Sequence, residues 1–132
     1  MSDNSPKQVI VIRKDLNMRA GKAIAQGAHA SMAALLQRGF FTDDKKQYII
    51  STKMPAIKEW LEGAFKKVTC RVESEAELLE VYNNAKAKGL LCVLIKDAGL
   101  TEFHGVPTLT AVGIGPEYPE DIDPVTGHLK LL

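Results

Sequence analysis

The chain has 132 residues, 45% of them hydrophobic and 25% charged, the balance of one soluble globular domain spanning 1–132. No apolar stretch approaches the roughly 18 residues of a membrane-spanning helix, and the N-terminus lacks a basic-then-apolar signal layout; no membrane contact and a cytoplasmic location are expected. Net charge is +1 but unevenly placed: residues 1–67 hold 12 Lys/Arg against 6 Asp/Glu, and residues 68–132 hold 5 against 10. A basic half suits a polyanionic partner, unless the charges merely clothe a solvated surface.

In chain order, "KQVIVIRKD" (7–15) is β-branched and apolar, a buried strand of a mixed or parallel sheet. "DLNM" is a turn in which Asn17 is placed to cap the next helix. That helix runs over about 19–38 and ends at Gly39. "FFTDDKKQ" reads as loop after its two aromatics, and "YIIST" as a short extra strand. "MPAIKEWLEGAF" is a helix with Pro55 in its first turn. "KKVTCRV" (66–72) is a second strand. Ser74 with Glu77 forms a capping box that opens a helix over 75–88, closed by Gly89. "LLCVLI" (90–95) and "PTLTAVGIG" (107–115) are the third and fourth strands, and the tail from 117 is mostly turn with a short apolar grip at its end. This order gives an α/β domain: a mixed four-stranded sheet flanked by helices on both faces. Cys70 and Cys92 fall inside apolar strand runs without a CxxC, as buried free thiols do.

The first helix carries the sharpest signal. Seven of the fifteen residues from 20 to 34 are alanine and two are glycine, so the helix is suited to close packing on a flat surface. At about 100° per residue, Arg19, Lys22, Gln26 and His29 share one sector about 80° wide. The rest of the circumference, Ser31 apart, is small or apolar, and this predicts a narrow polar stripe on a mostly buried helix. A solvated edge would ordinarily carry Glu/Lys pairs. This one has no acid, and its residue types hold anions and orient polar substrates. A second cluster lies in "LLCVLIKDAGLTEFHG", where Asp97 is expected just past the carboxyl end of a buried strand and Thr101 four residues on. Ligands of open α/β sheets gather at such strand ends, although Asp97 would also serve as a simple turn cap. "GIGP" (113–116) leaves little side chain, so a backbone or ligand can approach closely, or the glycines mark a bulge.

"KQVIVIRKDLNMRAGKAIAQGAHAS", "IKDAGLTEF" and "GIGP…IDPVTGHLKLL", in this order and at these distances, resemble the second, archaeal and eukaryotic-type family of peptidyl-tRNA hydrolases. The "GVPT" in place of a "PGT"-like turn and the long aromatic stretch 39–63 look like a divergent bacterial or phage branch. The resemblance implies a tRNA partner and hydrolysis of the ester joining a peptide to the 3′ ribose, with no metal and no organic cofactor, often in a homodimer. It implies catalytic positions at Lys22, Asp97 and Thr101 and, together with the basic half, substrate-binding positions at Arg13, Lys14, Arg19, Gln26, His29, Thr108 and Thr110. Lys22 would stabilise the developing oxyanion or meet tRNA phosphate, while Asp97 would orient Lys22 or take a proton from water. Two other readings compete: a module that keeps the fold but only binds RNA or a protein, and a hydrolase of another ester or amide. GxSxG, P-loop and dinucleotide glycine patterns are absent, and His29, His104 and His128 are too dispersed for a zinc set.

Overall fold

The computed structural model describes residues 3–132. Strand β1 (Lys7–Arg13) is its centre and is buried along five consecutive residues. It pairs in parallel with β4 (Lys67–Val72) and antiparallel with β6 (Thr108–Glu117). Beyond them lie β5 (Cys92–Asp97), antiparallel to β6, and β7 (Lys130–Leu131), antiparallel to β4, giving the order β5-β6-β1-β4-β7. Because side chains alternate along a strand, β1 feeds both faces. Val9 and Val11 join Val112 and Ile114 beneath α3 (Glu75–Ala87) and α4 (Pro119–Thr126), with Leu78, Val81 and Ile122. Ile10 and Ile12 meet Ala30 of α1 (Ala20–Leu36) and Ala111 on the other face. Helix α2 (Pro55–Glu62) seats Ile57 and Trp60 beside Leu35 and Leu91.

The expected four strands are five, and a separate two-stranded ribbon pairs β2 (Gly39–Phe41) with β3 (Tyr48–Ile50), the latter being the short extra strand expected at "YIIST". Strands β2 and β7 escape a periodicity test because they have three and two residues. The tail holds α4, disguised by its prolines. Pro119 takes the first helical position, where a missing N–H costs nothing. Asn17 does not cap α1. It closes a short 3-10 turn (Lys14–Leu16) in the left-handed region, and Arg19 precedes α1 without a side-chain cap. Asp97 is the last residue of β5 and not a loop residue after it. Ser74 does cap α3, accepting the Glu77 N–H at 3.1 Å. Cys70 and Cys92 are buried free thiols, and burial pushes both upward in pKa.

Helix α1 lies on β6, β5 and β1 through Gln26, Ala30 and Ala34. Small residues let it come close: a Cβ built on Gly113 of β6 would stand 2.4 Å from the Ala30 carbonyl oxygen. Gly113→Ala should therefore push α1 off the sheet, at a cost of about 1–3 kcal/mol. Urea unfolding checks this, and an unchanged midpoint would refute it. The helix is not buried on most of its circumference as expected: Ile24 is 72% and Met32 57% exposed. Ser31, the lone polar residue opposite the stripe, is bonded to buried Gln8, donating to its Oε1 at 2.5 Å.

Candidate active site

The carboxyl ends of β1 and β5 and the first turns of α1 meet at one edge of the sheet. Helix α1 brings Lys22 down to Asp97 at the end of β5, with Lys22 Nζ donating to Asp97 Oδ1 at 2.8 Å and to Thr101 Oγ1 at 2.9 Å. One turn on, Gln26 is buried under the helix. Its Nε2 donates to the same Asp97 oxygen at 3.3 Å, and its Oε1 accepts from Thr110 Oγ1 at 2.5 Å. Thus β6 contributes Thr110 as the anchor of a chain running Thr110–Gln26–Asp97–Lys22–Thr101. The side chains of Lys22 and Asp97 are 14% and 15% exposed, so the pair is shielded yet reachable.

Asp97 is surrounded by donors. Oδ1 accepts from Lys22 and Gln26, and Oδ2 accepts the Gly99 N–H at 2.8 Å. Gly99 makes this possible with a φ of +84° and with Val106 backbone 2.3 Å from where its Cβ would stand. The Lys22 hydrogen bond first, and the Gly99 N–H second, hold the Asp97 carboxyl below its ordinary range. An ammonium has three donors. Two of those on Lys22 are engaged within the cluster, and the Phe103 ring lies 5.6 Å from Nζ. Thr101 accepts from Lys22, which leaves its own hydroxyl proton free to donate.

The remaining sequence candidates are dispersed around this cluster. Arg19 is 92% exposed at the start of α1, with Glu102 at 3.8 Å, and Lys14 is exposed beside β1. Arg13 is engaged within the fold: it grips Asp15 at 2.7 Å and the Leu109 carbonyl at 3.0 Å. Thr108 donates to the Val106 carbonyl at 2.8 Å. His29 is exposed on the Lys22 flank of α1. One participant carried no signal in the sequence, the Phe103 ring beside the ammonium, because its place depends on the path of the 98–107 loop, which no periodicity encodes. The Gly99 N–H on the carboxylate is the turn cap that the sequence allowed for Asp97. Among the described residues no group of three or more His, Cys, Asp or Glu is arranged to hold a metal, and no helix is long and apolar enough to cross a membrane.

An ammonium, a carboxylate and a hydroxyl thus meet at the strand ends of an α/β sheet. Residues 6–132 match the family described as peptidyl-tRNA hydrolase PTH2. The chain is 50% identical to a peptidyl-tRNA hydrolase of Methanocaldococcus jannaschii, covering 96% of this chain and 99% of that one. It is 44% identical to the Methanopyrus kandleri peptidyl-tRNA hydrolase, covering 96% and 97%. The chain belongs to the PTH2 peptidyl-tRNA hydrolases, enzymes that act on an ester bond. These relatives are archaeal and lend no support to a divergent bacterial or phage branch. The fold is also shared with a solved protein of unknown function from Agrobacterium, at a TM-score of 0.55 and 10% identity over 100% of this chain and 99% of that one.

Proposed function

We propose that Lys22, Asp97 and Thr101 form the catalytic centre of this peptidyl-tRNA hydrolase. The supporting observation is the Lys22 ammonium, fixed by two hydrogen bonds and retaining a third donor. Water adds to the ester carbonyl, and the oxyanion that develops accepts hydrogen bonds from the third Lys22 N–H and from the Thr101 hydroxyl. When the C–O bond breaks, the proton lost by the water ends on the ribose 3′ oxygen. Asp97, held strongly anionic, is a poor base; its role is to fix Lys22 and to accept a hydrogen bond from the attacking water on its remaining lone pair. Gln26 and Thr110 position Asp97. Lys14 and Arg19 meet the phosphates next to the ester, with His29 beside them, and a tRNA substrate places the enzyme in the cytoplasm. The test is release of N-acetyl-amino acid from N-acetyl-aminoacyl-tRNA in the presence of a chelator. Rapid release that Lys22→Ala suppresses supports the assignment; equal release by the variant removes it.

We further propose a homodimer formed through the uncovered flank of α1. A groove of about 860 Å³ runs between α1 and the open faces of β1 and β4, edged by Ile24, Met32, Phe65, Leu131 and Leu132. Each of these five is at least 49% exposed, so the groove leaves a contiguous apolar surface uncovered. Sedimentation should give the mass of two chains, and Ile24→Asp that of one; a wild-type mass of one chain excludes the dimer.

A further inference from the structure

The pole of the molecule away from the catalytic cluster gathers the ends of α1 and α3, the start of β5 and the β2–β3 ribbon. A cleft there is lined by Gln37, Arg38, Tyr82, Lys86 and the chain from Gly89 to Cys92. Arg38 and Lys86 line it and are exposed, and Lys88 is exposed one residue before Gly89; Lys45 and Lys46 in the ribbon turn and Lys53 just after the ribbon are exposed as well. Among the described residues, none of these six has a carboxylate oxygen within the 4.0 Å of an ion pair. By contrast Lys7, Arg13, Lys58 and Lys66 each hold one at 2.5–2.9 Å. The negative end of α3 explains Lys86 and Lys88 in part, but not the cations of the ribbon. Two of the nearby acids are occupied, while Asp43 of the ribbon turn is exposed. Glu117 is buried and accepts the Leu91 N–H at 2.8 Å, and Asp44 accepts from Thr42 and from the Lys46 N–H inside its own turn.

The two elements that lead from this pole to Lys22 carry little negative charge. Helix α1 has no Asp or Glu in its 17 residues, and in β5, the edge strand beside it, Asp97 of the catalytic cluster is the only acid. Lys96 is exposed on that strand.

We propose that this pole is a second anchoring surface for the tRNA, gripping backbone phosphates of its double-helical arm about 25 Å from the ester, the length of the 17-residue α1. The proposal rests on the peptidyl-tRNA hydrolase reading and adds where the body of the tRNA lies. At that distance the short unpaired 3′ end has been passed. An A-form duplex presents its phosphates and 2′-hydroxyls to a protein, so flexible, unpaired cations are the groups that fit it.

The test compares kcat/KM on full-length N-acetyl-aminoacyl-tRNA with kcat/KM on the same N-acetyl-aminoacyl ester of a CCA trinucleotide, which is too short to reach the pole. Two charge-reversal pairs are used, Lys45→Glu with Lys46→Glu and Lys86→Glu with Lys88→Glu. The ratio of the two values does not depend on how much enzyme is folded. Each pair should lower the full-length-to-fragment ratio by about tenfold, and should flatten the slope of log kcat/KM against log salt by roughly 0.7–0.9 for each phosphate no longer neutralised. A ratio equal to wild type overturns the proposal while leaving the hydrolase reading intact. An unchanged ratio with an altered sedimentation mass also overturns it and assigns the pole to an interface between chains. If the wild-type enzyme hydrolyses neither substrate, the functional reading fails and the proposal falls with it.

Discussion

Lys22→Ala is expected to lower kcat/KM on N-acetyl-aminoacyl-tRNA by about 10²–10³-fold, the usual consequence of removing one preorganised donor to an oxyanion. The loss comes from two sources. The ammonium that faces the developing charge disappears, and Asp97 is left as a carboxylate with Gln26 and Gly99 as its remaining partners, unbalanced beside a substrate already rich in phosphate. The fold should survive, because Lys22 sits on the flank of α1 while Ala30 and Ala34 carry the packing. Circular dichroism would verify this. Lys22→Arg should restore only part of the rate. A guanidinium keeps the charge, but its planar fork cannot direct separate donors at Asp97 Oδ1, Thr101 Oγ1 and a third acceptor from one nitrogen. Turnover within a factor of about three of wild type in a folded Lys22→Ala protein would require another source of oxyanion stabilisation.

How far the sequence could anticipate this cluster depends on what local periodicity encodes. The 100° rule puts Lys22 and Gln26 on one sector of α1, and that is where the structure has them. It does not say which way the sector faces. The side of α1 toward the sheet is centred near Ala23, Gln26 and Ala30, so the polar stripe straddles the edge of the packed face: Gln26 is buried and His29 is in solvent. The small residues beyond that face are the uncovered apolar flank. Asp97 lies 75 residues from Lys22 and Thr101 lies 79. Only the placement of ligands at strand ends, together with the family resemblance, pointed to them. Thr110 follows from the resemblance alone; its bond to Gln26 depends on the packing of α1 on β6, a tertiary fact. Strands β2 and β7 escape a sequence reading because two or three residues make no pattern, and α4 because its prolines mimic a turn.

Asp97→Asn distinguishes the role of the carboxylate, and it is a harsher substitution than its size suggests. An amide would preserve the site if one oxygen sufficed to hold the Lys22 ammonium. The geometry removes that option, since every partner of Asp97 is a donor: Lys22 and Gln26 on one oxygen, the Gly99 N–H on the other. Asparagine carries a donor of its own, which must point either at the ammonium or at the Gly99 N–H. One bond is lost if that donor faces Gly99 and two, those of Lys22 and Gln26, if it faces the ammonium, and a loss of roughly 10²-fold is expected from the misplacement of Lys22. The pH profile then separates positioning from base catalysis. Hydrogen bonds from Lys22 and Gly99 lower the Asp97 pKa below its ordinary 3.8. Its contribution to stability and to Lys22 placement is therefore complete above about pH 3.8 and is lost only as the pH falls through the still lower folded value. Wild-type kcat/KM should show no acid limb between pH 8 and 5. A limb near pH 5–6 that vanishes in Asp97→Asn would show a carboxyl of raised pKa acting as the base, and would overturn the positioning role. Thr101→Val keeps the shape and deletes the hydroxyl that accepts from Lys22. Combined with Asp97→Asn it should cost less than the product of the two single losses, because both side chains fix the same nitrogen, Thr101 in addition to its own bond to the oxyanion. Strictly multiplicative losses would mean that Thr101 acts through its bond to the oxyanion alone and has no share in placing Lys22.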